Sequence, residues 1–417
     1  MSQPSSIASS SPRTRQLWVM LLALLSGFAL SQAFRIITTI LAQGLQQDFG
    51  ISASSLGAFA GLFGLSFGVV QLLMGIGMDL YGLRRTVLCA FPLAALGAAV
   101  SAAAPSYAWL MLGQLLIGMG CSPAFLACTM FIARHFPAER FAFISGLAMG
   151  IGGLGLLFTG SPLAWVVQAW GWRSGFALLS ALCVLSWLVI YVKVHEPQRP
   201  HAASAPRESW GLALQRMGQL FTLPHTWGMV ILGMSCYAAF LSMRGLWIGP
   251  LLMDRYGFTL LESGHVAFAI SLISLCSPAM FGKLDPGTLA RRRWLCTLSL
   301  LIAALFVLLG SWNHATATLV IVVVMAVLSG FGLLQYADVR ASYPSHMTGR
   351  ALSLFTMAMF LGLALMQWFT GTVAAWGEQL GWESYRTVMF TIALWLALAS
   401  CAYRCLPASP LLQTPPA

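Results

Sequence analysis

Charge is what this chain has least of. Of its 417 residues only 8% are Asp, Glu, Lys or Arg, against about 25% in an average soluble protein. So few charges cannot cover a water-facing surface, which excludes a soluble enzyme, a nucleic-acid-binding domain and a disordered scaffold together. Carboxylates are the scarcer sign, eleven against 22 basic residues, and each falls at the edge of an apolar run or in a loop. There are nine cysteines but no Cys-x-x-Cys pair, and all lie in or beside apolar runs, where cysteine packs as a small apolar residue. Nor is there a nucleophile constellation, a metal-ligand spacing or a phosphate-cradling glycine loop. Neither an enzyme nor an ATP-driven pump is expected, and no cofactor or metal.

What is present is apolar length. Hydrophobic residues make up 59% of the chain, in blocks long enough to cross a hydrocarbon core of about 30 Å. Twelve runs are read, at 17–43, 54–78, 86–104, 107–131, 141–168, 174–194, 226–248, 263–284, 294–312, 317–337, 351–375 and 386–405. The first is too long for the core of a cleaved signal peptide, about 7–15 residues, so it is expected to stay as a span. Only Arg173, Arg255 and Arg386 fall in loops on one side, and Arg35 and Arg244 fall inside spans; the other seventeen of the 22 basic residues lie on the opposite side. Cationic loops stay in the cytoplasm, so both termini are expected there. The net charge of +11 is therefore a topology signal, and no nucleic-acid partner is implied. The expected organisation is a tail over 1–16, a six-helix bundle over 17–194, a cytoplasmic linker over 195–225, a second bundle over 226–405 and a tail over 406–417.

The polar linker sits at the midpoint, and the two sides of it match. At an offset of 207, Phe49-Gly50-Ile51-Ser52 corresponds to Tyr256-Gly257-Phe258-Thr259, Gly57 to Gly264, Gly75 to Gly282 and Arg84-Arg85 to Arg291-Arg292. Repeated helical halves place a cavity between them near the membrane midplane, where rocking exposes it to either side. Transport is the leading function.

The loop after the second span, Gly75-Ile76-Gly77-Met78-Asp79-Leu80-Tyr81-Gly82-Leu83-Arg84-Arg85, resembles the G-x-L-A-D-R-x-G-R-K loop of the major facilitator superfamily. Gly75, Asp79, Gly82 and Arg84 match, while Leu80 and Leu83 replace two basic positions; Gly282-Lys283-Leu284-Asp285 is a degraded second copy. The resemblance covers essentially the whole chain. It implies an all-α membrane protein of twelve transmembrane helices in two pseudo-symmetric six-helix bundles, working in the plasma membrane, as a monomer, on a small-molecule substrate. In this family the loop latches the halves together in the outward-facing state, a role that falls here to Gly75, Asp79, Gly82, Arg84 and Arg85. Gln114-x-x-x-Gly118-x-Gly120 departs from relatives that carry Arg before the glycines. Gly146-x-x-x-Gly150-x-Gly152-Gly153-x-Gly155 lacks the Gly-Pro signature of drug antiporters and reads as a helix-packing stripe.

An ionisable residue inside a membrane costs about 2.5–3.5 kcal/mol and marks a substrate or ion path. Arg35 and Arg244 lie in the outer halves of the first and seventh spans, which are counterparts, and resemble the paired arginines of organophosphate/phosphate exchangers. Guanidinium forks suit carboxylate or phosphate. Thr38 and Thr39 share a face with Arg35, and Tyr237 with Arg244; Gln114 and Gln335 are further in-span polar residues placed in the same substrate site. The expected cargo is an organic or phosphorylated anion. Two features compete with this reading. Arg35 lies about 9 Å beyond mid-span and can snorkel to the headgroups, and the offset between the arginines is 209 rather than 207, which turns a helix face by about 200°. Efflux of an amphipathic drug or siderophore, or a transporter-like receptor, are the alternatives. Asp338 and His265 are the only near-membrane candidates for proton relay, which leaves symport, exchange and facilitated movement all open.

Overall fold

The computed structural model describes residues 12–136, 141–195, 215 and 218–412; most of the 195–225 linker, Arg140 and the far ends of both tails lie outside the described residues. The chain is helical, and twelve helices are long and apolar enough to cross a membrane: α1 (Arg15–Phe34), α2 (Ala53–Gln71), α3 (Leu83–Ala102), α4 (Tyr107–His135), α5 (Ile144–Trp170), α6 (Trp172–Lys193), α7 (Pro224–Arg255), α8 (Leu260–Lys283), α9 (Ala290–Ser311), α10 (Ala315–Ser342), α11 (Met347–Gln379) and α12 (Ser384–Cys405). They form two bundles of six. Many large apolar side chains point outward, among them Leu185, Val192, Leu394 and Leu398, a surface that suits lipid and not water.

The sharpest turns sit at matching places in the two bundles. Gly82, between α2 and α3, and Gly287, between α8 and α9, have φ of 88° and 79°, backbone that a side chain resists and glycine permits. Beyond Gly287 the Asp285 carboxylate takes two hydrogen bonds from Arg291, 3.0 Å from Nε and 2.6 Å from the terminal nitrogen. That pairing holds the Asp285 carboxyl below the usual carboxylate range, with help from the Gly287 N–H and against desolvation. At the opposite face Asp48 accepts from Trp172 Nε1 at 2.9 Å and from Arg173 at 2.5 Å; these bonds, Trp172's foremost, lower its pKa.

Call the face where α1 begins the near face and the other the far face. Among the described residues, close approaches between the bundles run from the far face inward. On α2 a β-carbon at Gly61 would stand 2.6 Å from the Ala364 carbonyl oxygen of α11, and at Gly64 2.9 Å from that of Phe360. Only glycine lets these backbones meet. Hydrogen bonds stitch the same region: Gly249 N–H to Thr39 Oγ1 at 3.0 Å, Ser161 to His265 Nδ1 at 2.7 Å, and Ser54 to Thr372 at 3.4 Å. Towards the near face the pattern changes. Gly75 meets Leu126 of its own bundle and Gly282 meets Leu333 of its own, while Gly146 and Gly150 border open space. The α5 glycine row therefore has two uses: Gly152 and Gly155 pack against Phe28 and Ala29 of α1, Gly153 against Leu275 across the seam.

Candidate functional site

Two helices lose regularity at their arginines. The first helix of the chain stops at Phe34, and a turn carries Arg35, Ile36 and Ile37 before a second helix, Thr38–Phe49, continues outward. Within α7, Met243–Trp247 widens to a π turn and Leu251–Arg255 to a second. Such turns cluster at functional sites because they re-aim side chains that a regular helix would turn elsewhere.

Arg35 does not reach the far face. Its guanidinium lies 5.1 Å from the ring centre of Phe67 on α2 and 4.8 Å from that of Phe360 on α11, and it donates to the Tyr237 hydroxyl of α7 at 3.3 Å. The two phenylalanines stack at 4.1 Å and Tyr237 stands 5.4 Å from Phe360. Both bundles thus build the shelf on which one cation rests, and a desolvated cation over a ring gains about 2 kcal/mol. Tyr336 of α10 lies within the field of Arg35 and Tyr237.

Arg244 is only 2% exposed. It donates to the Ser271 hydroxyl of α8, which in turn donates to the Leu156 carbonyl of α5 at 3.1 Å, so this arginine too sits at the seam. Among the described residues no carboxylate pairs with Arg35 or with Arg244; the ion pairs join Arg173 to Asp48, Arg255 to Glu383 and Arg291 to Asp285. The Nε atoms of both arginines are buried without a hydrogen-bond partner. Two guanidinium groups without a carboxylate partner thus lie at the seam between the bundles.

The remaining candidates divide. Tyr237 joins Arg35 directly. Thr38 is 2% exposed beside the turn, and Thr39 spends its hydroxyl on the Gly249 N–H, which makes it a seam fastener. Gln114 is 1% exposed with its Oε1 unpartnered. Gln335 lines a small void of the second bundle shared with Asp338 and Tyr403, while its neighbour Tyr336 lies within the field of Arg35. Of the latch residues, Gly82 makes the positive-φ turn. Gly75 packs on its own bundle, and Arg85 is exposed. Arg84 donates to the Tyr191 carbonyl at 2.9 Å and lies over the Tyr191 ring. The Asp79 side chain lies outside the described residues. Phe67, Phe360 and Ser271 were not legible as site residues, because an aromatic or a serine inside an apolar run has no pattern of its own.

A twelve-span helical membrane protein with a polar seam between two bundles is the class that these helices define. The match to the Major Facilitator Superfamily family model runs over residues 23–367, and the chain belongs to that family, as a multi-pass membrane protein and not an enzyme. It is 21% identical to a probable galactarate/D-glucarate transporter of Bacillus subtilis (strain 168) over 84% of each chain. It is 28% identical to the mouse facilitated glucose transporter member 10 over 39% of this chain and 30% of that protein. The matched part spans 30% to 63% of the length of the first three curated relatives. Among solved structures, a bacterial homologue of the human lysosomal transporter Spinster, inward-facing and unoccupied, superposes with a TM-score of 0.74 at 18% identity, over 95% of this chain and 97% of that one.

Proposed function

We propose that this protein carries a small organic anion, a sugar acid or similar carboxylate, by alternating access. In this reading it works as a monomer with both termini cytoplasmic, so the seam closed at the far face is the inward-facing state. The observation that carries the proposal is the pair of guanidinium groups, one from each bundle, that have no carboxylate partner. A buried charge left unpaired is costly, and a substrate carboxylate bridging Arg35 and Arg244 would relieve both while drawing the bundles together. Bidentate contact suits that role. Likeness to the galactarate/D-glucarate transporter supports a dicarboxylate; likeness to a facilitated glucose transporter points to neutral hexose, to which two bare cations offer no advantage.

Counterflow in proteoliposomes decides between them, with labelled D-glucarate, D-glucuronate, glycerol phosphate and D-glucose in parallel. At least one anion is expected to exchange and D-glucose is not. Arg35→Ala and Arg244→Ala should each abolish exchange at unchanged protein level. Exchange at the wild-type rate in both variants, or movement of D-glucose alone, overturns the proposal.

A further inference from the structure

A second polar site lies away from the arginines, inside the second bundle near the near face. Asp338 of α10 is 2% exposed, and it is the one fully buried carboxylate among the described residues. The Tyr403 hydroxyl of α12 donates to its Oδ2 at 2.6 Å, while its Oδ1 is buried without a partner. Gln335, one turn earlier, is 3% exposed and its Nε2 is likewise unpartnered. Both residues line one small void of about 10 Å³, whose wall is otherwise mostly apolar, with Met229, Leu295 and Phe355.

The charges around this cavity are committed elsewhere. From the α8–α9 turn, Asp285 holds Arg291, whose remaining donor goes to the Ala337 carbonyl at 3.3 Å. Arg292 of α9 donates to the carbonyls of Tyr403, at 2.5 Å, and Leu406, and lies over the Tyr403 ring at 4.8 Å. Cys296 on α9 and Cys236 on α7 approach from the apolar side. Tyr343, just past α10, packs its ring at a tilt against His225 of α7, 4.9 Å between centres, and bonds to Thr226; its own hydroxyl is pushed up in pKa by burial. From α11 the wall receives Phe355, which is neutral. Among the described residues no guanidinium therefore forms an ion pair with Asp338, and the site they build has too few oxygens for a metal ion that takes six or more.

A carboxyl with these neighbours is served in both charge states. Ionised, it accepts from the Tyr403 O–H and leaves Oδ1 open to the unpartnered Gln335 amide N–H that borders the same void. Neutral, it would offer an Oδ1–H to the Gln335 amide oxygen while Oδ2 still accepts from Tyr403. We propose that this pocket is a proton-binding site, separate from the arginine seam, in which Asp338 gains a proton on Oδ1 and gives it back. One proton moves, no other bond breaks, and the Tyr403 link between α10 and α12 weakens when the carboxyl is neutral. The proposal holds whichever solute is carried.

Infrared difference spectra of the full-length protein in liposomes, stepped between about pH 5 and pH 9, where exposed carboxylates are already ionised, read the proton directly. A protonated-carboxyl C=O stretch that grows as pH falls is expected in the wild type and not in Asp338→Asn. Tyr403→Phe should keep the band and move its midpoint to higher pH by about one unit, since the phenol's hydrogen bond is stronger to the ionised form than to the neutral one. Identical spectra for wild type and Asp338→Asn, or a band that does not respond to pH, overturn the proposal. Should Asp338→Asn fail to fold, the Tyr403→Phe midpoint decides, and an unmoved midpoint overturns it equally.

Discussion

Replacing Arg244 with methionine should make the empty protein more stable while removing its response to anions. Arg244 is 2% exposed, receives one side-chain hydrogen bond partner in Ser271 and leaves its Nε unpaired. An unsatisfied buried donor costs about 1–3 kcal/mol, and exchanging buried ion pairs for well-packed apolar side chains is often worth about 1–4 kcal/mol. A cation with no partner is worse placed than one in a pair. Ser271 loses little, because its hydroxyl still donates to the Leu156 and Ala267 carbonyls. We therefore expect Arg244→Met to gain about 1–3 kcal/mol in anion-free buffer. Ligand that binds only the folded wild type adds about 2.7 kcal/mol at a hundred times its Kd, and the variant should gain nothing. Thermal unfolding in detergent, with and without D-glucarate or another transported anion, reads both effects. A variant that melts below the wild type without anion would falsify the claim that Arg244 is uncompensated.

Removing the aromatic shelf with Phe360→Ala forfeits one cation–π contact of about 0.5–2 kcal/mol; it should weaken anion binding by titration calorimetry about two- to thirty-fold and leave the fold assembled. Gly61→Val drives a side chain against the Ala364 carbonyl and should cost the far-face seam about 1–3 kcal/mol. A cysteine pair at Ser54 and Thr372, whose hydroxyls lie 3.4 Å apart, should cross-link readily in the parent and poorly in the glycine variant; equal yields would show that the seam tolerates the wedge. Asp285 ionises more easily folded than unfolded because Arg291 bonds to it, so its stabilisation is complete above the unfolded carboxylate pKa of about 3.9 and is lost as pH falls through the lower folded value. The stability difference between wild type and Asp285→Asn should be level near neutrality and narrow below about pH 4, checked by unfolding at stepped pH.

Twelve spans and two halves could be read from the sequence because membrane crossing is a question of apolar length, and apolar length survives in a linear string. The turn at Gly82 was legible through its loop motif, whereas its counterpart at Gly287 (φ 79°) carried no such signal. Side-chain direction was not legible. The helix period alone set Arg35 and Arg244 about 200° out of register, which made one of them seem destined for lipid headgroups. That arithmetic assumes an unbroken helix, and both segments are broken where it matters, by the turn at Arg35–Ile37 and by the π turn at Met243–Trp247.

The same irregularity has a functional cost-and-benefit logic that links fold to transport. A regular helix would have satisfied its backbone and left each arginine free to snorkel. Breaking it spends local regularity to hold two cations inward, where neither finds a carboxylate. In the proposed cycle the desolvation of these cations resists closure of the empty seam, and a bound anion would relieve it. The neutral Tyr237 hydroxyl accepts from Arg35 without cancelling its charge. Had Asp338 lain at the seam instead of behind Tyr403, it would have neutralised one arginine and removed the proposed preference for an anion. Its placement in a separate pocket leaves both guanidinium groups without a carboxylate. Moving a carboxylate to the shelf, as in Phe67→Glu, should therefore pair with Arg35, raise the melting temperature in anion-free buffer and abolish anion exchange. Undiminished exchange by that variant would mean that Arg35 is not where the anion binds.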